Sequence, residues 1–322
     1  MPGWLPSSVR GISYSLLVVF LAVAPFIFDA IEQPFFLDVL SRALIFAIAV
    51  VSLNIILGFG GMVSLGHAAY IGIGAYSVGI ASYYDYYDGW LHILLALGVS
   101  GLFALITGAI SLRTRAVYFI MITMAFSQMV YFTFVSLEEY GADDGLVIYG
   151  RSEFPDVISM ESDYGLYYWI FVILMLAVFF SHRMLNSRFG RVIVGSKFNE
   201  QRMGALGYPT FRYKLACYVI SAMICSLAGV LYGNLTEFIS PDMMTWARSG
   251  ELIFMVIIGG MGSIFGPIVG TLAFVLLEEI LSAFWTYWHL VFGALLVIMV
   301  LAGKGGIDDW LGLVGRKEDR HD

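Results

Sequence analysis

Long, continuous apolar runs separated by short polar or glycine-rich breaks dominate the chain. The runs lack the period-two alternation of barrel strands, so each reads as a helix; about 20 apolar residues are enough to cross a bilayer. They fall near residues 11–29, 38–57, 68–83, 91–112, 116–136, 164–182, 213–233, 250–258, 267–283 and 286–302. The pattern predicts an all-α integral membrane protein of about ten transmembrane helices, some of them interrupted or re-entrant. Residues 58–67 (GFGGMVSLGH) form one interruption. Gly259, Gly260, Gly262 and Pro267 form another, after Glu251. Irregular backbone at membrane depth is tolerated only under cover of protein or water. The stretches GGMVS at 60–64 and GGMGS at 259–263 look alike. Matching interruptions mark binding sites in transporters built from repeats, and chance is the plain alternative in a chain with 35 glycines.

Composition agrees with the pattern. Hydrophobic residues make up 60% of the chain and charged ones 13%, against about 25% charged in soluble domains. Mean hydropathy is +0.85. The apolar stretch 11–28 is long for a signal-peptide core and ends without a small-residue cleavage pattern, so it reads as a retained span. The net charge of −7 is local and does not point to nucleic acid. Residues 137–163 are acidic, with only Arg151 opposing. The stretch 183–214 instead holds Arg183, Arg188, Arg191, Lys197, Arg202, Arg212 and Lys214 against the one acid Glu200. Lys and Arg hold short loops on the cytoplasmic side. This expectation makes 1–302 a single transmembrane domain with a cytoplasmic loop at 183–214. Residues 303–322 become a cytoplasmic tail, and both termini lie inside. Within the loop, 193–206 is expected to form a short helix that ends near Gly207.

The candidate chemistry is sparse. There is no GxxxxGK[ST], HExxH or G-x-S-x-G, and Gly58-Phe-Gly60 lacks the context of a dinucleotide-binding turn. Cys217 and Cys225 share one apolar run and read as packing residues, without metal-ligand spacing. Asn54, Ser64 and His67 flank or occupy the first glycine break. They line a pathway, or they are satisfied packing residues between close helices. Thr123 and Ser127 share a helix face, with Gln128 beside them; they touch substrate or bond a neighbouring helix. Glu251 suits a helix N-terminus. Glu278 and Glu279 lie deeper and need a basic partner or a gating role. Pairing His67 with either of them would give an intramembrane enzyme, and an ion-driven secondary transporter is a further class.

Five ordered stretches carry a family resemblance: Leu53-Asn54 to Tyr76 through Gly60, Gly61 and Ser64–Ala69; Arg113, Arg115 and Thr123–Phe126; Gly141–Leu146; Arg191 to Leu215 through Asn199-Glu200 and Ala205–Gly207; and Gly229 to Pro267 through Ser240-Pro241, Glu251 and Gly259–Ser263. In this order the chain resembles the permeases of branched-chain amino-acid ABC transporters, the LivM type. Gln201–Gly204 departs from the small or acidic residues common there. The resemblance implies a permease of the cytoplasmic (inner) membrane of a prokaryote that moves branched-chain or other hydrophobic amino acids. Urea and amide permeases are similar. It implies a homologous second permease, two cytoplasmic ABC ATPases and an extracytoplasmic substrate-binding protein. The chain itself would bind no cofactor, ATP being used by the partner, and would hold no metal. It places ATPase coupling on Lys197, Asn199, Glu200, Ala205, Leu206 and Gly207. Pathway lining would then fall to Asn54, Ser64, His67, Thr123, Ser127, Gln128, Glu278 and Glu279.

Overall fold

The structure is a computed structural model that describes residues 9–30, 34–114, 116–154, 160–284, 287, 290–294 and 297. Its helices are α1 (Val9–Ala30), α2 (Pro34–Asn54), α3 (His67–Tyr83), α4 (Gly89–Ser111), α5 (Val117–Val135), α6 (Asp163–Asn186), α7 (Arg188–Phe198), α8 (Glu200–Ala205), α9 (Thr210–Thr236), α10 (Trp246–Gly259) and α11 (Gly266–Phe284). Among the described residues, six helices are long and apolar enough to cross a membrane. α10 has 14 residues, so at 1.5 Å per residue it falls short of the roughly 30 Å hydrocarbon core. The expected interruption after Glu251 is therefore present. The expected span at 286–302 and the tail at 303–322 lie largely or wholly outside the described residues.

α2 is the central helix. In its membrane-length window 83% of residues are buried, against 22% in α5. It packs on α6, α9, α10 and α11. The outward apolar side chains of α4 and α5, such as Leu94, Leu102, Met121 and Phe132, are exposed in the isolated chain. That is the expected state of surfaces solvated by lipid or by another membrane subunit.

The closest pairing is α3 with α9. Added side-chain atoms at Gly74 would strike the Ser226 carbonyl, and at Gly229 the Ile71 carbonyl. Small residues let the two backbones meet, which is how helices gain van der Waals contact where lipid removes the hydrophobic drive.

The ends of the bundle differ in charge. At one end, β1 (Leu146–Val147) pairs antiparallel with β2 (Phe238–Ile239), in register Leu146 with Ile239 and Val147 with Phe238. Arg151, the sole base of the acidic stretch, bridges Asp163 at 2.8 Å and Glu237 at 2.9 Å, tying the loop to α6 and α9. The pattern of apolar runs did not foresee this sheet. At the opposite end lie Arg113, Lys197 and Lys214. The basic stretch departs from the single helix expected at 193–206. It forms α7 and α8, divided at Asn199, whose extended backbone (φ −156°, ψ 99°) lets its side chain cap α8 through the Arg202 N–H at 2.8 Å. The stop near Gly207 is present, with φ +86°.

Candidate functional site

The two glycine interruptions meet. α2 runs into a π-helical turn at Ile55–Phe59, and the chain then passes through Gly61 (φ +68°) before α3 starts at His67. α10 ends at Gly260 (φ +109°), and Gly262 (φ +85°) turns the chain into α11. The Asn54 side chain closes the gap between them. Its Nδ2 donates to the Ser263 carbonyl at 2.7 Å, and its Oδ1 accepts from the Gly262 N–H at 3.1 Å. One carboxamide thus satisfies a donor and an acceptor that no helix serves. Gly58 has to be glycine here, because a Cβ would strike Asn54 Oδ1 and lie 2.7 Å from the Gly262 nitrogen.

The basic end touches this junction directly. Lys197, in the last turn of α7, donates from Nζ to the Gly58 carbonyl at 2.7 Å, while its stem lies over Gly61. Glu200 opens α8, forms an ion pair with Lys214 at 3.0 Å and accepts from the Thr210 hydroxyl at 3.3 Å. Ala205, Leu206 and Gly207 are exposed, and Phe198 and Tyr208 beside them are exposed too. A cavity of about 400 Å³ opens between Lys197, Glu200 and Lys214, the glycine loop and the turn after α4. It is lined among others by Gly61, Arg113, Lys197, Glu200 and Lys214.

The other expected pathway residues are placed inside the bundle. The His67 Nε2 lies 2.9 Å from Ser221 Oγ, and Ser221 in turn donates to the Ser52 carbonyl at 2.6 Å. That hydroxyl is therefore an acceptor toward His67, which puts the ring proton on Nε2. His67 Nδ1 is buried and has no partner among the described residues. Ser64 accepts from the Gly66 N–H, and Thr123 from the Leu65 N–H, both at 3.3 Å. Ser127 donates to the Met244 carbonyl at 2.9 Å. Gln128 is half-buried, with its Nε2 unpartnered among the described residues. None of these five lines the cavity at the basic end.

Glu279 pairs with Arg42 of α2 at 3.1 Å, across 237 residues of sequence. Glu251 pairs with Arg248 at 2.8 Å, one turn apart on α10. Sequence reasoning missed both arginines. The second had a visible signal, an Arg–Glu pair spaced i,i+3 at the mouth of an apolar run. Beyond the spans, at the acidic end, the hydrogen bond with Tyr140 and the Glu139 carboxylate push the Tyr84 phenol up to about 12.

Broken helices sealed by a buried polar side chain, in an apolar bundle with charged groups at both ends, are the architecture of a multi-pass helical membrane protein. The family described as "Branched-chain amino acid transport system / permease component" matches residues 35–300, and the chain belongs to it. The high-affinity branched-chain amino acid transport system permease protein LivM of Salmonella typhimurium (strain LT2) is 27% identical over 293 residues, 84% of this chain and 69% of the relative. The LivM described as probable from Methanocaldococcus jannaschii is 31% identical over 143 residues, 42% of this chain and 41% of the relative. LivH of Escherichia coli K12 is 31% identical over 123 residues, 38% of this chain and 40% of that protein. No solved structure matches the chain.

Proposed function

We propose that this chain is the LivM-type permease of an ATP-driven importer for branched-chain or other apolar amino acids. It pairs with a LivH-like second permease, with two cytoplasmic ATPases and with an extracytoplasmic binding protein. The basic end faces the cytoplasm, as the bias of Lys and Arg toward that side supports, and both termini lie there. About ten crossings then account for the chain, α10 being an interrupted one.

The observation that carries this reading is the bond from Lys197 Nζ to the Gly58 carbonyl. It joins the loop expected to meet an ATPase to the π-helical turn, and Asn54 joins that turn to the break between α10 and α11. A displacement of α7 and α8 is thereby delivered to two broken helices at once. ATP shifts the permease between states only by binding one state of the assembly more tightly than the other, and this linkage gives the ATPase a lever on that difference. The exposed Phe198, Leu206 and Tyr208 supply apolar anchors for a docking partner in an otherwise basic loop.

The test is ATP-dependent uptake in proteoliposomes holding both permeases, the ATPases and the binding protein, with residues 199–207 intact or replaced by a Gly/Ser linker. We expect the replaced loop to leave the permease folded and to abolish uptake. Uptake at the wild-type rate would overturn the coupling assignment. Gradient-driven uptake without any ATPase would favour a secondary transporter, and uptake of urea or short amides in preference to leucine would reassign the substrate.

A further inference from the structure

The acidic end holds a cavity that the coupling mechanism leaves unused. Its volume is about 130 Å³, roughly ten times what one water requires. Phe46 of α2, Ile71 of α3, and Leu252 and Met255 of α10 make its apolar wall. Arg248 and Glu251 of α10 and Asp242 of the preceding turn supply charge of both signs at the same place. This is the usual make-up of a small-molecule site: a mostly apolar concavity with a few convergent polar groups.

The charges have no evident packing task. The Arg248–Glu251 bond uses Nη1 of the guanidinium and one carboxylate oxygen. A guanidinium carries five N–H donors, so Arg248 keeps a donor pair of the geometry that holds a carboxylate. Asp242 and Arg248 are exposed and Glu251 is half-buried, so these charges stand at the open mouth of the cavity, where an arriving solute would meet them. The wall is built to last: Phe46 lies against Tyr232 with ring centroids 5.8 Å apart, and one turn earlier on α2 Arg42 is held by Glu279 at 3.1 Å.

We infer that this cavity is a receiving site for the zwitterion of an apolar α-amino acid. Arg248 takes the carboxylate, Asp242 and Glu251 take the ammonium, and the side chain rests on Phe46, Ile71, Leu252 and Met255. The inference rests on the importer reading above and gives it a place where solute first meets this chain. An amino acid lacking either charge leaves one set of polar groups at the cavity mouth without its partner and loses that part of the affinity.

The experiment uses the permease–ATPase complex in nanodiscs without binding protein, with radiolabelled L-leucine as the probe and L-leucinamide and 4-methylpentanoate as competitors. Saturable binding displaced by unlabelled leucine is expected, with neither competitor displacing it. Arg248→Gln should weaken binding tenfold or more. Met255→Trp, which fills the cavity and leaves every charge in place, should abolish it in complexes that still elute at the wild-type position on size-exclusion chromatography. Absence of saturable binding to wild type, wild-type affinity in either variant, or displacement by leucinamide or 4-methylpentanoate would overturn the site. The importer reading is checked separately in proteoliposomes. ATP-dependent import by wild type, with unchanged KM in Arg248→Gln, would leave that reading standing and remove the site. No ATP-dependent import by wild type would remove both.

Discussion

Between α3 and α9, Gly74 and Gly229 bring two regular helices into backbone contact; each helix satisfies its own amides, so the side-chain bonds that cross the seam, His67 with Ser221 and Tyr70 with Tyr218, join side chains and fill no gap in the backbone pairing. At the junction of the two interruptions, Gly58 in the π-helical turn and Gly262 beyond the end of α10 also bring backbones together, but there the Gly262 N–H and the Ser263 carbonyl have no helical partner. Asn54 supplies the missing donor and acceptor. The first region resists movement, because any separation loses packing with nothing in exchange. The second is held by two hydrogen bonds and by one lysine from the basic loop. Glycine content alone does not separate the two. What separates them is whether the backbone beside the glycine is paired.

The largest effect is expected at the α3–α9 seam. Gly229→Leu drives a side chain into the Ile71 carbonyl, and overpacking of this kind costs about 3 kcal/mol or more where neither backbone can give way. The variant should fail to yield a monodisperse permease on size-exclusion chromatography, whatever partners are co-expressed. Normal yield and melting would mean that the seam relaxes, and the comparison would lose its rigid half.

Asn54→Leu comes next. It keeps the bulk and leaves the Gly262 N–H and the Ser263 carbonyl unpaired, at about 1–3 kcal/mol for each group. A clear fall in melting temperature is expected, with uptake lost before the fold is. Asn54→Asp sharpens the point: ionised, it still accepts from Gly262 but sets a buried charge against the Ser263 carbonyl, and protonated it donates there, so its melt should rise toward wild type as pH falls. A wild-type melt for Asn54→Leu would show that the junction is held by something other than this carboxamide.

The helices were legible because a bilayer leaves an apolar run no other way to satisfy its backbone. The predicted starts and ends of α3, α5 and α11 lie within one or two residues of those observed. The junction was not legible. Asn54 stood out as a polar residue before a glycine break, and the likeness of GGMVS to GGMGS was visible, yet the two meet across 208 residues. No local periodicity reports such a contact. The same holds for Arg42 with Glu279 and for β1 with β2, whose strands of two residues carry no pattern. The split of the basic loop at Asn199 was legible in principle, since Asn followed by Glu is a helix start. The expectation of one helix through 193–206 let the apolar residues on either side outweigh it.

Lys197→Met separates function from fold at the junction. The methionine keeps an apolar stem over Gly61 and removes the bond to the Gly58 carbonyl, which at about 1 kcal/mol should lower the melt only slightly. ATP hydrolysis should continue and uptake per ATP should fall, measured together in proteoliposomes. An unchanged ratio of uptake to hydrolysis would make Lys197 a surface residue with a convenient acceptor.

The smallest effect is expected one turn further along, at Glu200. Its carboxylate is one-third exposed and lies 3.0 Å from Lys214, so solvent screens much of the attraction, and a pair of this kind contributes about 0.5 kcal/mol. It also opens α8, where an acid gains a little from the helix dipole, and a six-residue helix has little dipole to offer. Glu200→Gln keeps an acceptor for the Thr210 hydroxyl and removes only the charge. A double-mutant cycle with Lys214→Met, read from thermal melts, should give a coupling near that figure. The coupling should shrink as ionic strength rises from about 0.1 M to about 1 M, where the screening length falls from about 10 Å to about 3 Å. A coupling several times larger, or one indifferent to salt, would mean that α8 is fixed to α9 as firmly as α3 is. The loop would then have no freedom to transmit movement to Gly58, and the contrast between a rigid seam and a movable junction would fail at its basic end.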